Sequence, residues 1–417
     1  MNFSTNEMRI VPLPSSGDVL TEVLRQGAKQ LLSQAIEAEV AEWLEQRQEH
    51  RDARGRQQVV RNGFLPERTL LTGIGPLEVK QPRVRDRRAK DRAEVFSSRI
   101  LPKYLRKTKS IEELIPWLYL KGISTNDFSE ALAAILGPQA PGLSASTVTR
   151  LKEVWEDEFG QWKKRSLKDK HYVYVWADGV HFNIRLGDGE RQCILVLMGA
   201  TAEGTKEIIA IQEGHRESEQ SWKELLLDCQ ARGLEKAPEL AIADGALGFW
   251  KAMAKVWPKT RGQRCWVHKT ANVLDKLPKS IQKHAKQKLI DIYMSPTKAE
   301  GEKAFNLFVR MYEGKYPKAT QCLEKDREEL MTFYDFPAEH WGHIRTTNPI
   351  ESTFATVRLR TAKTKGCGTR QATETMVFKL MESASKGWRR LNGSALLPEI
   401  VRGVQFTDGI KNTEDAA

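Results

Sequence analysis

The 417 residues are enough for two or three domains with a substantial core, and 66 Lys and Arg against 54 Asp and Glu leave a net charge of +12. Five cysteines, an odd number with no Cys-x-x-Cys pair, exclude a disulfide-stapled scaffold and point to a reducing compartment. The opening MNFSTNEMRIVPLPSSG lacks the basic start and apolar stretch of a secretion signal, and apolar runs such as Cys193 to Ala200 are far short of the roughly 20 residues of a membrane span. A soluble cytoplasmic protein is expected, and the clustering of its positive charge decides whether its partner is a polyanion.

Residues 19–48 read as a helix, with Leu20, Val23, Leu24, Leu31, Leu32, Ile36, Val40 and Leu44 at spacings of one, three, four and seven. Such a helix either joins two copies of the chain or packs on its own domain. Residues 51–92 then hold 12 Lys and Arg against five Asp and Glu. Within them 69–72 and 77–80 read as short strands around Gly73 and Gly75, and 82–92 (PRVRDRRAKDR) as an exposed basic stretch containing Arg83, Arg85, Arg87 and Arg88. From 110 to 165 three helices are expected, separated by turns such as Gly122-Ile123-Ser124, with Ser144 or Ser146 capping the third. Val148, Leu151, Val154 and Trp155 form that helix's apolar stripe and leave Thr147, Thr149, Arg150 and Lys152 outward. The pattern suits a helix-turn-helix entering a major groove, and it equally suits a plain helical bundle.

Residues 171–265 change register. Strands are expected at 172–176, 193–198, 207–211 and 239–243 and near Arg264-Cys265-Trp266, with helices at 221–233 and 246–257. Three strands, helix, strand, helix, strand describe a mixed α/β sheet. Residues 268–335 return to charged amphipathic helices, an insertion before a helix that starts near Pro349.

Three acidic residues stand out. Asp178 in VYVWADGV and Asp244 in LAIADGALGFW each close a strand-like run, and Glu351 in TTNPIESTFATVRLRT opens the last helix. They are 66 and 107 residues apart in sequence, so only tertiary folding brings them together. Two like charges 4 Å apart repel by about 4 kcal/mol at an effective dielectric of 20, and divalent cations reverse that sign. Oxygen-only donors favour Mg²⁺ or Mn²⁺, and two such ions suit phosphoryl transfer on a nucleic-acid backbone. Each residue also has a plainer reading: an Asp-Gly after a strand is commonly a turn, and a first-turn Glu suits the helix dipole. Asp188-Gly189, in the polar GDGE, reads as a turn only.

In order along the chain, Asp178-Gly179, IADGA, CWVHKTANVLDKLP and NPIES, preceded by RNG…LLTGIGPLEVKQPRVRDR and LYLKGIST…LSASTVTRL, closely resemble the Mutator-type family of bacterial insertion-sequence transposases. The resemblance runs over roughly residues 55–395. It implies an RNase H-like core with a helical insertion, Asp178, Asp244 and Glu351 as a DDE triad, and two Mg²⁺ or Mn²⁺ ions per site. It also implies cleavage at terminal inverted repeats, 3′-hydroxyl strand transfer into target DNA, and a homodimer or larger assembly on DNA at the bacterial nucleoid. The expected division is 1–50, an amphipathic helix; 51–109, a basic DNA-binding segment; and 110–168, the helix-turn-helix-like region. Then come 169–267, the first part of the core; 268–345, the insertion; and 346–417, the last core helix and tail. A nuclease or resolvase without strand transfer, or a DNA-binding regulator descended from an inactive transposase, are the competing functions.

Cys265 and His268 form a Cys-x-x-His pair that similar transposases carry as a signature. A zinc site needs four ligands, which here would draw in His340 and His343, so a pair orienting the insertion is the preferred reading. The helix after Glu351 carries Arg358, Arg360, Lys363, Lys365 and Arg370 with no acid from 358 to 370, expected to contact phosphates beside the carboxylates. Trp176, Trp250, Trp257 and Trp266 are assigned to the core.

Overall fold

The computed structural model describes residues 19–120, 123, 128–136, 145–183, 191–363 and 369–412. The chain divides into two compact units, 1–149 and 150–417.

The first unit begins with helix α1 (Val19–Glu45), followed by strands β1 (Val59–Phe64), β2 (Arg68–Thr72), β3 (Gly75–Val79) and β4 (Pro82–Asp86). The apolar row Ala28, Leu32, Ile36 of α1 packs on Leu70, Leu77, Val79 and Leu101. At 3.6 residues per turn an i, i+4 row drifts around the helix. Leu20, Val23 and Leu24 accordingly leave the core face and stand exposed, as does Leu31. β2 and β3 form an antiparallel hairpin, and β4 pairs antiparallel with β1, Val59 opposite Asp86. The start of the exposed basic stretch is therefore a strand. Its alternation, with Arg83 and Arg85 outward and Pro82 inward, is a strand period concealed in a run of charge. Helices α2 (Lys109–Leu120) and α3 (Phe128–Leu136) follow.

Helix α4 (Ala145–Lys163) leads into the second unit. Its buried residues there are Trp155 and Phe159, while Val154, expected in the apolar stripe, is exposed. The stripe turns because Phe159 stacks on Phe378 and Trp162 packs tilted against it, with ring centroids 5.1 and 4.9 Å away. The turns that would define a helix-turn-helix, and Ser144, lie outside the described residues. Of Ser146 and Val148 only the backbone is described.

A five-stranded mixed sheet centres the second unit. In chain order come β5 (Tyr172–Asn183), β6 (Arg191–Thr201), β7 (Lys206–Gly214), helix α5 (Glu219–Ala231), β8 (Leu240–Ala243), helix α6 (Leu247–Val256) and β9 (Arg261–Arg264). The spatial order is β7-β6-β5-β8-β9. β5, β6 and β7 run antiparallel, and β8 and β9 add parallel to β5. The inner strands β5, β6 and β8 are buried nearly end to end, as expected where a sheet is covered on both faces. On one face Val175, Ala177, Leu195 and Leu197 pack with Trp222, Leu225, Phe249 and Trp257 of α5 and α6 and their ends.

Two expectations are corrected. Asp178 does not end its strand: β5 continues to Asn183 because β6 pairs with it throughout, Asp178 opposite Val196. The last strand stops at Arg264, and Cys265 instead caps the next helix. Helices α7 (Trp266–Leu274), α8 (Lys279–Tyr293), α9 (Lys298–Tyr312), α10 (Pro317–Glu324), α11 (Arg327–Met331) and α12 (Trp341–Ile344) make up the helical segment, before α13 (Asn348–Lys363) and α14 (Arg370–Ser385) return to the sheet.

Candidate active site

The sheet register brings the first two acids together. Ala177 of β5 pairs with Ala243 of β8, and Ala243 with Arg264 of β9. The next residues in line are Asp178, Asp244 and Cys265. Neighbouring strands lie about 4.8 Å apart, so the two carboxylates leave the sheet side by side where β8 stops. This rim, at the carboxyl ends of parallel strands, is where open α/β sheets place their ligands. Asp244 is held by its own loop: its Oδ1 accepts from the Ala246 amide at 2.8 Å. Its carbonyl accepts from Trp250 Nε1 and Arg264 Nη1, each at 2.8 Å.

Glu351 arrives from the facing helix. It lies in the first turn of α13, which packs against β5. The buried Thr347 fastens this turn to the rim: its amide and hydroxyl lie 3.3 and 3.2 Å from Cys265 Sγ. The same hydroxyl meets Glu351 Oε1 and lies 3.4 Å from His268 Nδ1. His268 Nδ1 is 3.6 Å from Glu351 Oε1. Cys265, His268 and Glu351 thus hold their ligand atoms within 4.8 Å of one another.

The electrostatics follow from crowding. Asp178 is only 8 % exposed, and the hydrogen bond its carboxylate accepts from the Gly179 amide offsets little of that burial. Burial first, then the charges of Asp244 and Glu217 against the opposing pull of His268, raise its carboxyl to about 7. Glu217 is raised to about 7 by burial and then by Asp244, again with His268 opposing. His268 goes the other way, to about 9, first through its hydrogen bond to Cys265, with Glu351 and Asp178 adding and burial opposing.

Glu217 was not singled out from sequence. It precedes Ser218, the N-cap of α5, so an acid between a strand and a helix cap was the available signal. A second grouping, His181, Cys193 and Glu217, also has ligand atoms within 4.8 Å. There the Cys193 thiol is buried and pushed up to about 12, by burial first and then by Glu217 and Asp178, which leaves it a neutral core group.

Residues 5–391 match the profile of the Mutator family of transposases. The chain belongs to that family. It is 49 % identical over 299 residues to the transposase for insertion sequence element IS6120 of Mycolicibacterium smegmatis, covering 72 % of this chain and 92 % of that one. It is 50 % identical over 281 residues to the transposase for IST2 of Acidithiobacillus ferrooxidans, covering 67 % and 95 %. Among solved structures, the Drosophila P element transposase strand transfer complex aligns over 71 % of this chain and 91 % of that one at 11 % identity, with a TM-score of 0.22, too low to bear on the fold.

The other sequence-selected residues of this Mutator-family chain are placed as follows. Arg83, Arg85 and Arg87 are exposed, whereas Arg88 is committed to Asp86 at 2.7 Å and Glu94 at 3.0 Å. Arg150 and Lys152 are exposed on α4. Arg358 is exposed on α13, its guanidinium 6.0 Å from the Phe354 ring centre. Of Arg360 and Lys363 only the backbone is described, and Lys365, like Asp188-Gly189, lies outside the described residues. Arg370 is not on the Glu351 helix: it opens α14 and pairs with Glu213.

His340 and His343 do not join Cys265 and His268. His340 Nδ1 is 2.7 Å from the Tyr174 hydroxyl and its Nε2 is 2.9 Å from the Gly393 carbonyl oxygen. The His343 carbonyl accepts from Trp176 Nε1, and its Nε2 accepts from the Asn392 amide. Trp176, Trp257 and Trp266 are buried, and Trp250 packs against the core, its ring 4.4 Å below the Arg264 guanidinium. Among the described residues no helix is long and apolar enough to cross a membrane.

Proposed function

We propose that this chain is the transposase of an insertion sequence, cutting DNA at the element's terminal inverted repeats and joining the freed 3′-hydroxyls to target DNA. Asp178, Asp244 and Glu351 are its metal-binding carboxylates. The observation that carries this reading is the register that sets Asp178 and Asp244 side by side at the sheet rim, with Glu351 fastened across from them through Thr347. An order of three antiparallel strands extended by two parallel ones supports an RNase H-like core, and the succession of helices α2, α3 and α4 along the chain is the order a helix-turn-helix reader would use.

The donor set fits Mg²⁺ or Mn²⁺. The acids are oxygen donors, and a nine-tenths buried Asp178 among like charges is the environment a hard cation relieves. Two such ions, when bound, would supply charge stabilisation at the attacking and leaving oxygens of an in-line displacement. Asp178 and Asp244 would hold both ions between them, and Glu351 would complete the shell of one. Thr347 and His268 set the Glu351 carboxylate in place, and Cys265 ties their helix to the strand end. Water attacks the phosphodiester at the element end, releasing a 3′-hydroxyl that then attacks a target phosphodiester. No Ser or Tyr nucleophile is required. Exposed Arg83, Arg85 and Arg87 in one unit, and Arg358 in the other, would neutralise DNA phosphates. Joining two DNA ends calls for more than one copy of the chain, and the exposed Leu20, Val23, Leu24 and Leu31 of α1 support association there.

The test uses purified protein, duplexes from the DNA flanking its gene, and Mg²⁺. Joined product from wild type and none from Asp244→Asn is the expected result. Nicking without joining would replace strand transfer with nuclease chemistry. End-specific binding with neither product, under Mg²⁺ or Mn²⁺, would make the protein a regulator.

A further inference from the structure

We propose that Glu217 is a fourth metal-binding carboxylate of this site, sharing the cations held by Asp178 and Asp244. The inference rests on the metal-dependent reading above and extends it to a residue outside the three acids.

The backbone has been cleared for this side chain at two places. Gly179 follows Asp178 directly, and a Cβ there would come within 2.7 Å of Cγ, Cδ and Oε1 of Glu217. The Glu217 side chain therefore lies over the Gly179 position of β5, one residue on from Asp178, in space that any other side chain at 179 would fill. Gly248 lies four residues past Asp244, and a Cβ there would come 2.0 Å from the Glu217 carbonyl oxygen and 2.8 Å from the Ser218 carbonyl carbon. The first turn of α6 thus rests directly on the backbone carrying Glu217. Each segment bearing a rim aspartate has a glycine where this one glutamate approaches.

The charge arrangement points the same way. Neighbouring acids have cationic partners: Glu219 pairs with Lys255, and Glu213 with Arg370. Among the described residues Glu217 forms no ion pair, although it is half-buried and faces the rim acids. Asp178 is nine-tenths buried, and its carboxylate accepts only from the Gly179 amide among the described residues. His268 is the charged group set against them from α7. Asp178, Asp244 and Glu217 thus feel one another's charge with the His268 imidazole opposing, and their oxygen donors have the chemistry that Mg²⁺ and Mn²⁺ bind.

The experiment titrates the full-length protein with Mn²⁺ alone, reading bound and free ion by electron paramagnetic resonance. Circular dichroism melts check each variant's fold. Glu217→Gln and Asp178→Asn should each weaken Mn²⁺ binding by at least about tenfold, and Glu219→Gln should bind as wild type does. Wild-type affinity in Glu217→Gln, with binding lost in Asp178→Asn, would overturn this proposal and leave the triad standing. Wild-type affinity in Asp178→Asn would sink the triad reading itself. Equal losses in Glu217→Gln and His181→Ala, with none in Asp178→Asn, would move Glu217 to a separate site with His181 and Cys193. Should Glu217→Gln fail to fold, Glu217→Asp serves: a shortened carboxylate should weaken Mn²⁺ binding, and unchanged affinity would count against the proposal.

Discussion

Asp178 shows how a buried carboxyl among like charges costs stability. Its carboxyl and that of Glu217 are raised to about 7, from ordinary values of 3.8 and 4.5, by burial and by like charge. Both groups bind protons more tightly in the folded than in the unfolded chain. Their contribution to metal-free stability is therefore full below about pH 4 and is lost as pH rises through about 7. With chelator present at pH 8, Asp178→Asn should be more stable than wild type by about 1–3 kcal/mol and melt at a higher temperature. Mg²⁺ should raise the wild-type melting temperature and leave that of the variant nearly unchanged. A lower melting temperature for the variant at pH 8 would show that Asp178 is compensated in some other way. Thr347 makes a complementary case. Its buried hydroxyl touches Cys265 and Glu351, so Thr347→Val should cost about 1–3 kcal/mol of stability. Strand-joining kcat should fall while DNA affinity holds, and a change confined to DNA affinity would contradict the positioning role.

At the scale of elements, the helical segment is anchored to the sheet by a buried charge cluster. Asp326 meets Lys269 of α7 and lies 3.7 Å from Arg264 at the end of β9, all three being nearly inaccessible. Lys269 also donates to the Cys322 carbonyl at 2.8 Å. Removing one member of such a cluster strands the others, so Asp326→Ala should destabilise the protein by about 3–5 kcal/mol in denaturant titration. A loss below about 1 kcal/mol would mean that solvent reaches the cluster. Strand β9, a polar RGQR, was expected too far along the chain, near Arg264-Cys265-Trp266. Strands β5 to β8 were legible because they hold continuous apolar runs, and α5, α6, α8 and α9 because their apolar residues keep the helical period. Strand β4 was not, since its outward arginines read as a charge run, and neither was the continuation of β5 past Asp178, where Asp-Gly mimics a turn. The Asp326 anchor was equally invisible. Nothing in EKDREEL distinguishes an acid buried against Lys269 from its solvated neighbours.

For the whole molecule, exposed candidate phosphate contacts lie in both units. Arg83, Arg85 and Arg87 are exposed in the first, and the carboxylate rim belongs to the second. Replacing all three arginines by alanine should reduce the slope of log K against log salt for DNA binding by about 0.9 per contact. Replacing Arg88 should change thermal stability more than that slope, since its guanidinium is committed to Asp86 and Glu94. An unchanged slope in the triple variant would place the phosphate contacts elsewhere.

By itself the sequence determined the family, through motifs in a specific order, and with them the mixed α/β class and the three acids on which the chemistry is proposed to rest. These are local properties: apolar period, strand and helix punctuation, and short runs of residues. Only the tertiary structure decided which side chains stand beside those acids. Glu217 reaches the rim because Gly179 and Gly248 lack side chains, and Thr347 because Cys265 follows Arg264 at the end of β9. Both depend on strand register and helix packing between segments tens of residues apart, and no short-range pattern encodes that contact.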